Sequence, residues 1–477
     1  METNIIKQLH QLYLQWSGSE TFSVKPLPVS GSYRQYYRIS GKNETVIGVY
    51  NADVSENKAY FAFTSAFRKQ GLHVPEIYAK DDAKKAYIIT DLGDETLFSF
   101  LSAKNKAGVF SEEAITYYYR IIEELPKFQI VAGKYLDFSY CYPRSSFDRQ
   151  SMMWDLNYFK YYFLKLARVP FDEQKLEDDF NTFCTYLLKA SSSFFMYRDF
   201  QSRNIMINNE KPWFIDFQGG RKGALQYDIA SLLYDAKASI PQPIREKFLE
   251  YYIGCLGKYI PVAEKEFLEY YYGFVLIRIM QAMGAYGFRG YYEKKEHFLQ
   301  SIPFAVNNLR HLTENIELPV KLPELMKVLR TITSMDTWQK YHVVNDELTV
   351  TICSFSYKNG LPSDQSGNGG GFVFDCRALP NPGRYEEYMN LTGNDQEVIR
   401  YLEDKPVVGI FLENMFNIVD LSVTNYLERN FSNLMISFGC TGGRHRSVYC
   451  AVKLAEHLAK KFGNIRIQLS HREIPAV

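Results

Sequence analysis

The sequence predicts two domains of different build: a large α+β domain that begins with strands and continues as helices, then a smaller α/β domain. Strand-like alternation crowds the first ninety residues. Helical periodicity runs from about residue 96 to 335, broken by a strand-rich island at 195–220, and strand–helix alternation returns after residue 346. A chain of 477 residues exceeds one compact domain. Periodicity is lost across DTWQKYHVVNDE (336–347), which sets domains at 1–335 and 346–477.

Taken in order, SVKPLPVSGSYRQYYRIS alternates as strands do, GKNE breaks it, and TVIGVYN (45–51) resumes it. SENKAYFAFTSAFRKQ (55–70) has helical period with Ser55 as the expected N-cap, and KAYIITDLG (85–93) is a strand with a glycine stop. SYCYPRSSFD (139–148) and LARVPFD (166–172) interrupt the helices that follow. In FMYRDFQSRNIMINNEKPWFIDFQGG (195–220), NIMI and WFIDF read as strands around a polar turn. Helices resume from Gln226 to about Met335. In the second domain, strands are expected at 348–357, 372–379, 434–440 and 465–471, with a helix from Ser447 and a mobile Gly-rich loop at SDQSGNGGG (363–371).

With 55 Lys and Arg against 54 Asp and Glu, the net charge of +1 offers no global field for nucleic acid or an anionic membrane. The 37 tyrosines and 34 phenylalanines fall on helical packing surfaces such as NYFKYYFLKL (157–166). Seven scattered cysteines, none in a CxxC pair, indicate a reducing compartment. Neither a signal peptide nor an apolar run of membrane-spanning length is expected, so the reading is a cytoplasmic protein.

Phosphoryl transfer needs a base near the attacking hydroxyl, hard oxygen ligands for magnesium, and donors for nucleotide phosphates. YRDFQSRN places Asp199 and Asn204 five residues apart across a polar loop, and FIDFQ ends a strand at Asp216. A hairpin between them can set Asn204 and Asp216 side by side as metal ligands, with Asp199 facing the acceptor. No GxxxxGK[ST] occurs, which excludes a P-loop.

The segment MYRDFQSRNIMINNEKPWFIDFQGGRKGALQYDIASLLYD (196–235) resembles the catalytic segment of the aminoglycoside phosphotransferase superfamily, whose fold is bilobal and protein-kinase-like. RDFQSRNIM and IDFQ, with GSYRQYYRI (31–39) and IITDLGDETL (88–97), are closer still to the AmgK-like N-acetylmuramate/N-acetylglucosamine kinases, over about residues 10–325. The resemblance implies ATP and Mg2+ as cofactors and a small sugar as acceptor. Asp199 is then the base, Asn204 and Asp216 the metal ligands, and Asp228 a structural orienter of the catalytic loop. Thr90, Asp91 and Leu92 form the hinge that meets adenine, and Ser32 is a further nucleotide-binding candidate. Tyr197 replaces the usual histidine of the catalytic loop. TVIGVYN lacks the lysine that kinases use on the α- and β-phosphates. Arg34 and Arg38 share one strand face by parity, so one of them is expected to substitute for it. Arg203, Asp155 and Asn157 are candidates for acceptor binding.

SFGCTGGRHRSVYCAVKLAEHL (437–458) runs a strand into Cys440, then Thr441-Gly442-Gly443-Arg444-His445-Arg446 and a helix with Ser447 as its expected cap. Consecutive glycine N–H groups at a helix start make an anion cradle, and Arg446 is expected to fork two phosphate oxygens. Cys440 and Arg446-Ser447 also have the spacing of a cysteine-phosphatase loop, with Asp375 as the available acid. CSFSYKNGLP, FVFDCRALPNP, LTGNDQEV, FGCTGGRHRSVY and SHREIP match in order the RapZ C-terminal domain, over about 347–477. That resemblance implies a phosphosugar held by Thr441, Gly442, Gly443, His445 and Arg446, with Asp375, Arg377, Asn359 and His471 around the same cleft. From 346 to 477 there are 13 Lys and Arg against 15 Asp and Glu, so the pocket is carried over and an RNA partner is not.

The function expected is an ATP- and Mg2+-dependent kinase for an amino sugar or related hexose, with a phosphosugar-binding regulatory domain. A regulatory adapter with little turnover and a bifunctional kinase–cysteine phosphatase remain open.

Overall fold

Alternation in the first ninety residues becomes a five-stranded antiparallel sheet in the computed structural model, which describes residues 2–20, 22–28, 34–42, 44–104, 110–341, 348–364, 371–428 and 431–474. The strands are β1 (Ser23–Pro26), β2 (Gln35–Ser40), β3 (Thr45–Tyr50), β4 (Ile77–Lys80) and β5 (Ala86–Thr90), in the order β1-β2-β3-β5-β4. Period-two burial assigns the faces. Tyr37, Ile39, Val46 and Ile88 pack under the helix Glu2–Ser17 with Ile5, Leu9 and Tyr13. Ile47, Val49, Tyr87 and Ile89 point the other way, into the main core. Arg38 lies opposite Ile47 and Tyr36 opposite Val49, so the β2 arginine faces the same side as the main core.

The helix Val54–Lys69 starts one residue earlier than its periodicity suggested. Its cap is Asp53, whose carboxylate accepts the N–H groups of Ser55 and Glu56, so Ser55 is inside the first turn. A carboxylate there also complements the helix dipole. Beyond the sheet, Glu264–Gly287 is buried on nearly every side and the other helices surround it. The hairpin the sequence indicated interrupts the helices, β7 (Ile205–Asn208) pairing with β8 (Lys211–Phe214), and it is enclosed by a second antiparallel pair, β6 (Phe194–Met196) with β9 (Arg221–Gly223). Tyr118, Tyr227, Tyr252 and Tyr271 are fully buried on helices, as the tyrosine-rich helical surfaces predicted, whereas Tyr161 in the 157–166 stretch is 48% exposed.

The chain divides into two units, Met1–Tyr341 and His342–Val477. The second carries a parallel sheet of β10 (Leu348–Ser356), β11 (Gly371–Asp375), β12 (Asn433–Cys440) and β13 (Ile465–His471), ordered β11-β12-β10-β13. β11 is shorter than expected, because Asp375 caps a tight turn by accepting the Arg377 N–H. Ser32 and residues 365–370 of the Gly-rich loop lie outside the described residues.

One helix, Pro406–Glu428, corrects the sequence reading of apolar runs. Its 406–427 stretch has mean hydropathy 1.4 and is long and apolar enough to cross a membrane by length and composition. Glu413 and Asp420 interrupt the run and hid it. Val408, Met415, Val419 and Val423 pack in the domain core, while Asp420 accepts hydrogen bonds from His457 and Lys461 on the helix Arg446–Lys461.

Candidate active site

The hairpin β7–β8 assembles the predicted trio. Asn204 Nδ2 donates to the Asp199 carbonyl at 2.9 Å and to Asp216 Oδ2 at 3.3 Å, and Ile215 N donates to the Asn204 carbonyl at 3.0 Å. Asp216 follows β8 with φ +66°, and Arg198 precedes Asp199 with φ +84°. Non-glycine residues in that region cost about 1–3 kcal/mol each and persist only where neighbours fix them.

Asp228 and Tyr197 are those neighbours. Asp228 Oδ2 accepts the Tyr197 N–H (2.8 Å) and Gln129 Nε2 (3.0 Å), and its Oδ1 accepts the Arg198 N–H (3.0 Å). Burial pushes the Asp228 carboxyl up to about 7, although these donors pull against it. Tyr197, buried at the histidine position, donates its hydroxyl to the Ile215 carbonyl at 2.7 Å, one residue before Asp216. The phenol therefore ties the loop that carries Asp199 to the strand end that carries Asp216. Asp235 adds a second brace the sequence reading missed, accepting the Ser202 N–H at 3.0 Å.

The residues present suit a divalent cation. Burial, then the charge of Asp199, raises the Asp216 carboxyl above the usual range, with Arg34 and Gln218 opposing. One carboxylate, Asp216, and the amide oxygen of Asn204 fit an ion that shares its shell with substrate phosphates. Among the described residues no three His, Cys, Asp or Glu form a cage of their own.

The two candidate arginines separate completely. Arg34, 5% exposed, sets Nη2 at 2.8 Å from Glu56 and Nη1 at 3.3 Å from Asp216. Asn51 Nδ2 fixes the other Glu56 oxygen at 2.8 Å. Arg38 instead binds Asp91 through Nε (2.7 Å) and Nη2 (3.0 Å) and Asp94 through both Nη atoms. It braces β2 to the segment after β5, its donors engaged by these two carboxylates. The hinge is also partly occupied: the Leu92 carbonyl accepts Asn208 Nδ2 at 3.1 Å, and the Thr90 N–H donates to the Glu76 carbonyl at 3.1 Å.

Of the acceptor candidates, Asp155 is buried and paired with Arg198 Nη2 at 2.7 Å. Asn157 sits two residues on, about 200° around the same helix, so the two do not share a face. Arg203 is exposed and stacks on Phe98 at 4.6 Å.

In the second unit, Cys440 ends β12 with 2% exposure; its sulfur accepts the Gly443 N–H at 3.2 Å and lies 3.2 Å from Ser447 Oγ. Burial alone would raise the thiol, but the Ser447 hydroxyl and N–H, Gly443 N–H and Arg446 together lower it. The helix begins at Arg446, so Ser447 lies inside it and serves the sulfur rather than the cap. Arg446 turns its Nη1 to the carbonyls of Arg377 and Leu379, both at 3.0 Å, and does not form the expected fork. Thr441, Gly442 and Arg444 are exposed on the cradle, and His445 Nε2 lies 2.9 Å from the Tyr388 carbonyl. Asp375 binds Arg377 through both oxygens, which holds its carboxyl below the usual range. His471 Nδ1 meets Ser354 Oγ at 2.9 Å.

Glu473 was not foreseen. It accepts Asn359 Nδ2 at 2.8 Å, and its Cγ would lie 2.3 Å from a Cβ at Gly443, which has φ +67°. Gly443→Ala is therefore expected to lower stability by about 1–3 kcal/mol, read as a shift in the urea unfolding curve of the full chain.

Residues 23–264 match the phosphotransferase enzyme family, and residues 348–475 match the RapZ C-terminal domain. A nucleotide-binding protein of Acidobacterium capsulatum is 38% identical over 128 residues, covering 27% of this chain and 39% of that protein. Another, from a Thermotoga species, is 35% identical over 164 residues, covering 33% and 56%. The chain thus spans less than two thirds of these curated relatives. Similar solved structures include a choline kinase from Cryptosporidium parvum (TM-score 0.47, 12% identity, 69% of this chain and 100% of that one). The amicoumacin kinase hAmiN in complex with AMP-PNP, Ca2+ and Ami is another (TM-score 0.45, 12% identity, 68% and 97%).

Proposed function

The chain belongs to the phosphotransferase enzyme family, and from that premise we propose that it transfers the γ-phosphoryl group of ATP to a hydroxyl of an amino sugar or related hexose. Its C-terminal domain binds a phosphosugar as a regulatory ligand, and the protein works in the cytoplasm. The supporting observation is the Asn204 side chain, bonded at once to the Asp199 carbonyl and the Asp216 carboxylate.

In this reading Asp199 accepts the acceptor's proton as the oxygen attacks phosphorus in line. Asn204 and Asp216 hold a magnesium ion, which supplies positive charge to the phosphate oxygens. Arg34, oriented by Glu56 and Asn51, takes the role of the missing strand lysine. The hinge at Thr90, Asp91 and Leu92, together with Ser32, meets the nucleotide. Arg203 and Asn157 border the acceptor. A hydrogen bond to a charged group contributes about 1.5–3 kcal/mol. Arg34→Ala is accordingly expected to raise KM for ATP by about 10- to 150-fold, and an unchanged KM would remove Arg34 from the site.

In the second unit, Thr441, Gly442, Gly443 and Arg444 receive the phosphate, with Asn359, His445 and His471 near the sugar. A cysteine phosphatase at Cys440 draws support from its lowered thiol. Asp375, held ionised by Arg377, makes a poor acid, and Arg446 is engaged elsewhere. The kinase reading is tested by incubating the protein with ATP, Mg2+ and N-acetylglucosamine, N-acetylmuramate or glucosamine while following ADP. ADP release that depends on sugar and is lost in Asp199→Asn supports it. No release with any sugar, and none distinguishing the variant, favours the adapter.

A further inference from the structure

Three thiols meet under the anion cradle of the second unit, and phosphate binding there calls on none of them as a nucleophile. β11 and β12 run in parallel register, with Phe374 opposite Phe438 and Asp375 opposite Gly439. The Phe374 and Phe438 rings stack at 5.4 Å, which puts both residues on one face of the sheet. Side chains alternate along a strand. The next residues of that face are therefore Cys376, which opens the turn after β11, and Cys440, which ends β12. Paired residues on neighbouring strands stand about 4.8 Å apart, inside the Cα separation of roughly 4.4–6.8 Å that a disulfide spans. Cys450, on the helix Arg446–Lys461, completes the group. All three are buried in one core cluster, and the Cys376 thiol is hydrogen-bonded to Cys450.

The three are not chemically alike. Cys440 has the Gly443 N–H and the Ser447 hydroxyl on its sulfur. Against the effect of burial these groups, with Arg446, hold its thiol below the ordinary range. Cys376 is the opposite case: the bond to Cys450, then burial, push it well above that range. One sulfur is a stabilised thiolate and its neighbour a protonated thiol, the difference that separates an attacking cysteine from a resolving one. Thr441 and Gly442, the two residues after Cys440, are exposed. The sulfur thus lies one layer beneath solvent, a depth that favours a reagent as small as hydrogen peroxide over a bulky disulfide.

We infer that Cys440 and Cys376 form a dithiol that hydrogen peroxide converts to a disulfide. The Cys440 sulfur attacks one peroxide oxygen, the O–O bond breaks and hydroxide leaves, so that Cys440 becomes a sulfenic acid. The Cys376 sulfur then attacks the Cys440 sulfur, the S–O bond breaks, and the departing oxygen takes the Cys376 proton as water. Counting the proton that Cys440 had released, two thiols and one peroxide give one disulfide and two waters. The product takes the thiolate away from the Gly443 N–H. It also ties β12 to the turn that supplies Arg446 with the Arg377 and Leu379 carbonyls.

Peroxide treatment of the reduced full chain, followed by non-reducing peptide mapping, tests this. The expected product is a Cys376–Cys440 cross-link that dithiothreitol reverses and that also forms in Cys450→Ala. Cys440→Ser should yield no link, and Cys376→Ala should leave Cys440 as a sulfenic acid that dimedone captures. Cys141 and Cys353, both more exposed than Cys440, are internal controls. Cys440 should react about tenfold faster than either, because thiolate character outweighs exposure. Oxidation of Cys141 or Cys353 ahead of Cys440 overturns the inference, as does a Cys376–Cys450 link that persists in Cys440→Ser. So does a wild-type Cys440 that stops at the sulfenic acid while Cys376 stays reduced. Dimedone capture in wild type at short times reads the intermediate without any substitution, so the test stands even where Cys376→Ala fails to fold.

Discussion

Replacing Asp199 by Asn is expected to lower kcat by about 10²- to 10⁴-fold, the range for removal of a positioned general base. The change is isosteric, and the backbone carbonyl that Asn204 bonds is retained, so the loop geometry survives. KM for ATP should move by less than about threefold, because the carboxylate would act on the acceptor's proton and not on the nucleotide. Removing the Asp199 charge also removes one cause of the raised Asp216 carboxyl, so Asp216 ionises more readily. Loss of that charge also weakens the attraction for a divalent cation, so metal affinity falls modestly along with turnover. Steady-state kinetics with Mn2+ titration separates the two effects. A variant within tenfold of wild-type kcat would place the base elsewhere.

The trio was legible in sequence because its geometry is local. Asp199, Asn204 and Asp216 fall within one loop and one hairpin, where spacing nearly determines position. Asp228 carried over for a related reason, its helix following β9 closely. The nucleotide arginines were legible only as a pair. Parity put Arg34 and Arg38 on one face, but their roles depend on carboxylates from other elements: Glu56 on the helix Val54–Lys69 for one, Asp91 and Asp94 at the hinge for the other. No periodicity reports such partners. Asp155 illustrates the converse. It stood among polar residues of a helix that read as solvent-facing, yet it is the buried partner of a half-buried arginine 43 residues away in sequence. Arg446 had a phosphate-binding motif around it and turned out to clamp two carbonyls, because the tight turn at Cys376–Ala378 presents them to it. Motif reading located the cradle and could not aim its side chain.

Asp228→Asn should separate folding from catalysis through pH. Burial holds this carboxyl at about 7 in the fold, whereas an unfolded aspartate titrates near ~4. Between those values the native state binds a proton that the unfolded chain has released, so stability falls as pH rises through the window. The contribution is full below ~4 and gone above about 7; three units correspond to about 4 kcal/mol. The Asn variant has no such proton. Urea unfolding at pH 5 and pH 7.5 should therefore show a smaller pH difference in the variant by a few kcal/mol, and parallel behaviour of the two proteins would refute the assignment. Turnover should suffer independently. An Asn carbonyl placed to keep the bonds from Tyr197 N and Gln129 turns its NH2 toward the Arg198 N–H, now a donor facing a donor. An unmet buried N–H costs about 1–3 kcal/mol. The loop relieves it by moving at Arg198, already in the left-handed region and adjacent to Asp199. A displacement of about 1 Å at the base lowers rate by about 10²-fold, so kcat should fall that far at every pH at which the variant remains folded.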